Sequence, residues 1–184
     1  MAIVSSDIQF LLSAPGASAG YTSSGTVYNS LGKYVSTTQV SGTALDNIFT
    51  DLTGAENAAS QVDYQCVFIL NNTGGGDTAL NGVVWLPNSG YVAGGANIAV
   101  GVDPAGASAK GTSSVQAAII ANPLAAPSGV SSFVGPSSTN SGGLSVANLA
   151  PGQVLAVWIR RTATNSGPVN NDGFVLEYDF DTMA

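Results

Sequence analysis

Carboxylates are the side chains of this sequence with the widest capacity for chemistry. The chain has 11 Asp and Glu, 4 Lys and Arg, one Cys and no His. Without histidine, Ser-His-Asp and Cys-His arrangements and His-ligated zinc are impossible within the chain. A pair of carboxylates acting as acid and base, as in glycoside hydrolysis, is the remaining catalytic option. Most of these acids occupy turns or helix ends, where Asp caps the backbone, so we expect no enzyme and no catalytic residue.

Two further patterns suggest a nucleophile, and each has a simpler structural explanation. Cys66 lies beside Val67, Phe68 and Ile69, where a thiol behaves as a small buried apolar group. Residues 16–20 match G-x-S-x-G by letter, but that motif needs a strand-turn-helix context and a histidine later in the chain. We expect a buried thiol, no disulfide and a loop of small residues.

Oxygen-rich loops leave calcium as the one metal to consider, because calcium takes oxygen ligands only. Asn71 and Asn72 with Asp77, and the run Asn170-Asn171-Asp172-Gly173, offer such oxygens. Neither has the spacing of an EF-hand loop. We therefore expect turns without metal, and no cofactor.

The charge balance excludes two classes of partner. The formal net charge is −7, and Arg160 and Arg161 are the only adjacent basic residues. Nucleic-acid binding needs clustered Lys and Arg, and anionic membranes attract the same groups. No apolar run approaches the roughly 20 residues that cross a bilayer. We expect no nucleic-acid partner and no membrane.

The hydrophobic pattern indicates short strands separated by Gly, Pro, Ser and Asn clusters. The strongest strands are predicted over residues 64–70, 80–86, 97–102, 154–161 and 174–180, and weaker ones over 116–121, 129–134 and 144–146. The segments 154–161 and 174–180 are predicted to pair as a terminal hairpin with a long loop. Trp85 and Trp158 lie in apolar strands, so we expect them to pack in a core or a subunit interface.

One short helix is predicted over residues 43–53, where Leu45, Ile48, Phe49 and Leu52 recur with helical spacing. Residues 16–30 lack periodicity and predict an extended arm or a long loop. The fold class is therefore all-β: a single-domain β-sandwich, jelly-roll or immunoglobulin-like, over residues 31–184. Residues 1–30 would form an N-terminal strand and the extended arm.

Several segments resemble a family of small virion structural proteins of tailed bacteriophages. The resemblance runs from near the start to near the end of the chain, with departures at Gln65, where we expect arginine in relatives, and in a longer segment over 16–30. The segments that carry it are Asp7-Ile8-Gln9-Phe10 with Leu12-Ser13, Ser30-Leu31-Gly32, Leu45-Asp46-Asn47-Ile48-Phe49 with Thr53-Gly54-Ala55-Glu56, Tyr64-Gln65-Cys66-Val67-Phe68 with Asn71, Val84-Trp85-Leu86, Gly101-Val102-Asp103, Pro151-Gly152-Gln153 and Val157-Trp158-Ile159-Arg160-Arg161.

The resemblance implies a capsid decoration (cement) protein that binds the major capsid protein lattice and brings no catalytic residues. We then expect synthesis in the host cytoplasm without processing, residence on the capsid exterior, and a homo-oligomer, a trimer before a dimer. A tail, neck or fibre component and a carbohydrate-binding module remain alternatives. The residues predicted to bind partners are Ile3, Ile8, Phe10, Tyr21, Tyr28, Arg160 and Arg161.

Overall fold

A computed structural model describes residues 3–42, 46–91, 95–167 and 173–182 of the chain. In these ranges the regular elements are β-strands, one α-helix and a few single 3-10 turns. The strands and helix are β1 (Ile8–Ser13), β2 (Gly32–Lys33), β3 (Val35–Gln39), α1 (Gly54–Ala58), β4 (Val62–Asn71), β5 (Leu80–Trp85), β6 (Asn97–Val102), β7 (Ser108–Ala109), β8 (Ala117–Ile119), β9 (Leu144–Ser145), β10 (Gln153–Thr162) and β11 (Glu177–Asp181).

Antiparallel pairing organises these strands into three sheets. The largest has six strands in the order β3-β1-β4-β10-β6, and β7 pairs with the start of β10. A three-stranded sheet has the order β11-β5-β9, and β2 pairs with β8. The long central pair β4 and β10 is in continuous register from Val154 opposite Leu70 to Thr162 opposite Val62.

The central strands are apolar on both faces, which explains why their sequences do not alternate with polar residues. Successive side chains of a strand point to opposite faces of its sheet. Cys66, Phe68 and Leu70 of β4 pack with Val154 and Trp158 of β10 in one cluster. The intervening residues of both strands, Val67 and Ile69 among them, pack in a second cluster on the other face.

Each face of the large sheet is covered by one of the smaller sheets. Val84 of β5 and Tyr178 of β11 belong to the second cluster, so the three-stranded sheet covers that side. Leu31, Ala117 and Ile120 belong to the first cluster, so the β2-β8 pair and its flanks cover the opposite side. The all-β, sandwich-like fold predicted from the sequence is confirmed.

The short helix lies later in the chain than the sequence predicts. Residues 43–45 are outside the described residues, residues 46–49 form a turn and bends, and residues 50–53 have no regular secondary structure. The helix is instead Gly54–Ala58, which begins where Thr53 and Glu56 form a reciprocal capping box. The apolar spacing at Ile48 and Phe49 reflects packing of an irregular segment against the core, because both residues join the second cluster. Every helix in the described ranges is too short to cross a bilayer.

Strand pairing differs from the sequence-based prediction at two places. The predicted terminal hairpin is wrong, because β11 pairs with β5 and not with β10. The predicted strand over 129–134 is also wrong, since in that segment only Val134 pairs, in an isolated bridge with Val100. Both errors concern long-range partners, which local patterns do not encode.

Residues 14–31 form the long loop that their lack of periodicity allows, and hydrogen bonds tie the loop to the rest of the chain. The Gly20 N–H donates to the Thr112 carbonyl over 2.9 Å, and the Tyr21 N–H donates to the Val35 carbonyl over 2.8 Å. Thr37 of β3 donates to the Ser23 carbonyl over 2.9 Å. The loop thereby covers the outer edge of β3, which would otherwise present unpaired backbone groups.

A candidate binding cleft

A cleft of about 260 Å³ opens where the starts of β4 and α1 meet the ends of two loops and β10. Asp63 and Gln65 reach it from β4, and Arg161 reaches it from β10, where it stands directly opposite Asp63. The residues that line it are Tyr28, Phe49, Thr50, Glu56, Gln61, Asp63, Gln65, Pro123, Leu124 and Arg161. We call this set the β4 cleft.

Arg161 and Asp63 form a partly buried ion pair at one side of the β4 cleft. The Arg161 Nη2 donates to the Asp63 Oδ2 over 2.7 Å, and its Nε donates to the same oxygen over 3.2 Å. Its Nη1 donates to the Thr50 carbonyl, and the guanidinium lies 4.6 Å from the centre of the Phe49 ring. The guanidinium is therefore held by a carboxylate, a carbonyl and an aromatic face.

Glu56 supplies a second carboxylate that helix capping keeps in place. Its Oε2 accepts a hydrogen bond from the Thr53 N–H over 2.7 Å, and the Glu56 N–H donates to the Thr53 hydroxyl over 3.2 Å. Hydrogen bonds from the backbone and side chain of Thr53 hold the pKa of Glu56 below its ordinary value of 4.5. Gln61 links the two carboxylates, because its Nε2 donates to the Asp63 Oδ1 over 2.9 Å and to the Glu56 Oε1 over 3.4 Å.

Gln65 contributes a buried acceptor that has no donor. The residue is 4% exposed, and its Oε1 accepts no hydrogen bond within the described residues. Buried polar atoms are nearly always paired, because an unpaired one forfeits its bonds to water without replacement. This oxygen is shielded from solvent, with less than 1 Å² accessible, although Gln65 itself is one of the residues that line the cleft.

Apolar side chains form the rim of the β4 cleft. Tyr28 is 64% exposed and Leu124 is 58% exposed, which is unusual for side chains of their size in this chain. Tyr28 comes from the 3-10 turn Val27–Asn29. Pro123, which precedes Leu124, accepts a hydrogen bond from the Tyr64 N–H through its carbonyl over 2.7 Å. The rim is thus built on backbone that is fixed to β4.

Two buried polar groups outside the cleft, Asp103 and Cys66, serve the fold. Asp103 is 2% exposed, and its carboxylate accepts hydrogen bonds from the Trp158 Nε1, the Ala118 N–H and the Ala105 N–H at 2.8, 2.8 and 2.9 Å. Cys66 is completely buried, and burial raises the pKa of its thiol well above the ordinary value, with a further contribution from the Asp103 charge. A thiol held neutral and inaccessible is a packing group.

All four basic side chains of the sequence lie over aromatic rings. The distances to the ring centres are 5.2 Å for Lys33 over Tyr34, 4.7 Å for Lys110 over Tyr21, 4.9 Å for Arg160 over Phe133 and 4.6 Å for Arg161 over Phe49. Each cation is thus engaged by a ring within the chain, and only Arg160 and Arg161 are adjacent in the sequence. These two point to opposite faces of β10.

The seven residues predicted from the sequence to bind partners occupy different environments. Tyr28 and Arg161 both line the β4 cleft. Ile3 is a buried member of the second cluster, and Ile8 and Phe10 pack against that cluster from β1. Their partner-binding role and those of Tyr21 and Arg160 stay predictions.

The candidate calcium loops are only in part described. Asn71 is fully buried, and its side chain donates to the carbonyls of Asp77 and Leu149 at 3.1 and 2.8 Å. Its Oδ1 accepts from the Thr73 hydroxyl over 2.8 Å, so the amide holds the loop together. Residues 170–172 of the other run lie outside the described residues, and the described residues contain no group of three or more His, Cys, Asp or Glu side chains that could hold a metal ion.

Sequence reasoning did not find Gln65, Glu56 or Leu124 as members of a site. Two polar residues at alternate positions, Asp63 and Gln65, enter an apolar strand, and this was the available signal. No protein-family model, curated protein or solved structure matches the chain. The β4 cleft is therefore interpreted from its own geometry.

Proposed function

We propose that this protein is a capsid decoration protein of a tailed bacteriophage, which binds the lattice of major capsid protein on the outside of the head. The proposal starts from the resemblance to small virion proteins and is supported by a surface suited to another protein. The observation that carries it is the rim of the β4 cleft, where Tyr28 and Leu124 are largely exposed beside partly buried polar groups.

Such a combination is typical of protein interfaces. Binding energy concentrates in a few side chains, most often Trp, Tyr and Arg, around a desolvated centre that near-neutral contacts shield from water. A specific interface covers about 800 Å² per partner, so the β4 cleft would be the centre of a larger contact. Attachment of an oligomer at many lattice positions adds avidity to each contact. Stabilisation of the head follows, because each bound copy favours the assembled lattice.

Two observations support a structural role over the competing ones. Trp158 is fully buried, so it cannot stack on a sugar, whereas the partly buried Trp85 and the exposed Tyr28 are the aromatic rings that a carbohydrate-binding module would have to use. The chain has only four Lys and Arg, and each lies over an aromatic ring of its own, which disfavours a nucleic-acid surface. A tail, neck or fibre component shares these features and is distinguished by its place on the particle.

Imaging of virions tests the proposal directly. We expect copies of the protein at regular lattice positions over the head exterior. Heads that lack the protein should lose their integrity at a lower temperature than heads that carry it. Protein confined to the portal vertex or the tail would contradict the proposal and favour the tail or neck alternative.

Substitutions at two exposed residues test whether the β4 cleft is the surface that attaches to the head. Leu124→Asp should weaken rebinding to stripped heads about tenfold or more, because it places a charge in the apolar rim. Val115→Asp is the matched control, since Val115 is 53% exposed and lies outside the cleft. Equal rebinding by both variants would show that the β4 cleft is not the attachment surface.

A further inference from the structure

We infer that the β4 cleft receives a basic side chain, an arginine or lysine of the partner protein, whose charged group donates a hydrogen bond to the Oε1 of Gln65. This inference deepens the proposed function and relies on it only for the identity of the partner. It rests on an unpaired acceptor, the charge around it, the rim and the size of the space.

The acceptor is the first step. The Oε1 of Gln65 is buried and unpaired, and Gln65 lines the cleft. Less than 1 Å² of this oxygen is accessible, so the Gln65 side-chain amide must turn toward the cleft. A donor arriving from outside would then restore the hydrogen bond that burial removes. Since the nearby donors of Arg161 and Gln61 are directed to Asp63, Thr50 and Glu56, the chain leaves this acceptor to a visiting group.

The charge around the acceptor selects a cation. Glu56 and Asp63 bring two carboxylates against the single guanidinium of Arg161. Arg161 forms its ion pair with Asp63, so Glu56 has no ion-pair contact among the described residues, although the Arg161 charge also helps to lower the pKa of Glu56. Capping by Thr53 keeps Glu56 in its ionised form, so a visiting ammonium or guanidinium group gains attraction that a neutral group does not.

The rim suits the rest of a basic side chain. Long basic side chains bury an aliphatic stem against apolar surface while the charged head meets polar groups. Leu124 provides the apolar surface, and the exposed Tyr28 ring provides a face for cation–π contact. The protein already combines its own cations with aromatic rings in this way, as Arg161 over Phe49 does inside the same cleft.

The size of the space favours one side chain. Pockets for small molecules usually measure about 300–1,000 Å³, and the β4 cleft, at about 260 Å³, is smaller. A single long side chain from an exposed segment of a partner would fill it without a change of backbone.

The test uses the isolated full-length protein and small probes, so it is independent of the particle. We would titrate acetyl-arginine methylamide and acetyl-lysine methylamide into isotope-labelled protein and follow chemical shifts, with the neutral isostere acetyl-citrulline methylamide as control. We expect saturable shifts at the Gln65 side-chain amide and at Leu124, with millimolar dissociation constants for the basic probes. Citrulline should bind at least about threefold more weakly, as expected for loss of one partly solvated charge contact.

Two charge-matched variants make the test specific. Glu56→Gln keeps a side chain that completes the capping box, and should weaken the arginine probe about threefold. Asp181→Asn removes one negative charge from β11, outside the cleft, and should leave the affinity unchanged.

Three results would overturn the inference: equal affinity for arginine and citrulline, shifts that do not converge on the β4 cleft, or equal effects of the two variants. If the probes do not bind but the protein does decorate the capsid lattice, only this inference is contradicted. If the probes bind but the protein is found only on the tail, the proposed function is contradicted and the inference about the β4 cleft is supported.

Discussion

The indole Nε1 of Trp158 donates a 2.8 Å hydrogen bond to the Oδ2 of Asp103. Trp158 is fully buried in the central strand β10, and Asp103 begins the turn after β6. The same carboxylate accepts the N–H of Ala118 beside β2, so one buried charge joins the large sheet to the sheet that covers it. Three N–H donors replace the water that the carboxylate loses.

Trp158→Phe should destabilise the protein more than Trp85→Phe does. The first change removes ring volume and leaves a buried carboxylate one donor short, which should cost about 2–4 kcal/mol of unfolding free energy. The Nε1 of Trp85 has no partner among the described residues, so its replacement removes no hydrogen bond. Urea unfolding of both variants measures the difference, and equal losses would show that the indole–carboxylate bond contributes little.

Gln65→Leu and Gln116→Leu should change stability in opposite directions. Gln65 has a buried unpaired oxygen, whereas Gln116 accepts from the Val35 N–H and donates to Ser108 and Ala109. Leucine at 65 should raise the unfolding free energy by a few tenths to about 1 kcal/mol, and leucine at 116 should lower it by about 2 kcal/mol or more. Destabilisation at both positions, read from chemical denaturation, would mean that Gln65 has a partner in solution.

Tyr178→Phe should reduce the loss of stability at alkaline pH. Burial raises the pKa of the Tyr178 phenol from 10.0 to about 12. Below pH 10 the phenol is neutral in both states, and between pH 10 and 12 only the unfolded chain loses its proton, so stability falls over that window.

Thermal melts at pH 9, 10 and 11 would compare the variant with the wild type. The Cys66 thiol contributes in both proteins, because burial raises its pKa as well, so the difference between the two isolates Tyr178. An equal fall of the melting temperature with pH in the two proteins would contradict the prediction.

Cys66 should resist thiol reagents in the folded protein. The thiolate is the reactive form, and burial together with the Asp103 charge disfavours it. Modification by a disulfide reagent should therefore proceed only as fast as the chain unfolds, and should accelerate with urea. Rapid labelling in native buffer, at a rate independent of urea, is the contrary outcome.

Gly32→Ala should be strongly destabilising. Gly32 has a φ of +86°, and a Cβ there would lie 1.9 Å from the Ala118 carbonyl oxygen and 3.0 Å from the Trp158 ring. Backbone in this region disfavours L side chains, and the contact forces β2 away from β8. Gly74→Ala is the control, because nothing lies within 4 Å of its added Cβ, and the two melting temperatures should differ by several degrees. Similar melting temperatures would contradict this account.

Strong apolar runs were sufficient to locate the central strands. Residues 64–70, 97–102 and 154–161 were predicted closely, because a strand buried on both faces contains little besides apolar residues. Strand β3 was not predicted, since Ser36, Thr37 and Thr38 carry no apolar alternation. The helix was misplaced because capping by Thr53 and Glu56 outweighed the apolar spacing before it.

The sequence pointed to two of the ten residues that line the β4 cleft, and only as single residues. Tyr28 and Arg161 were named as partner-binding candidates, but no pattern in the sequence indicates that they lie near each other. Their proximity depends on the register of β4 against β10 and on the loop that carries Tyr28.

The amino-acid sequence by itself determined the all-β class and the chemistry this chain lacks, since composition and local periodicity act residue by residue. The absence of histidine removes its catalytic and zinc chemistry in any fold. Only the tertiary structure decided which strands pair and that Asp103 would be buried under Trp158. It also decided that Gln65 would hold an unpaired oxygen beside Glu56. Those outcomes depend on contacts between residues far apart in the chain. Many residues share the free energy of burial at such contacts, so local sequence patterns do not predict them.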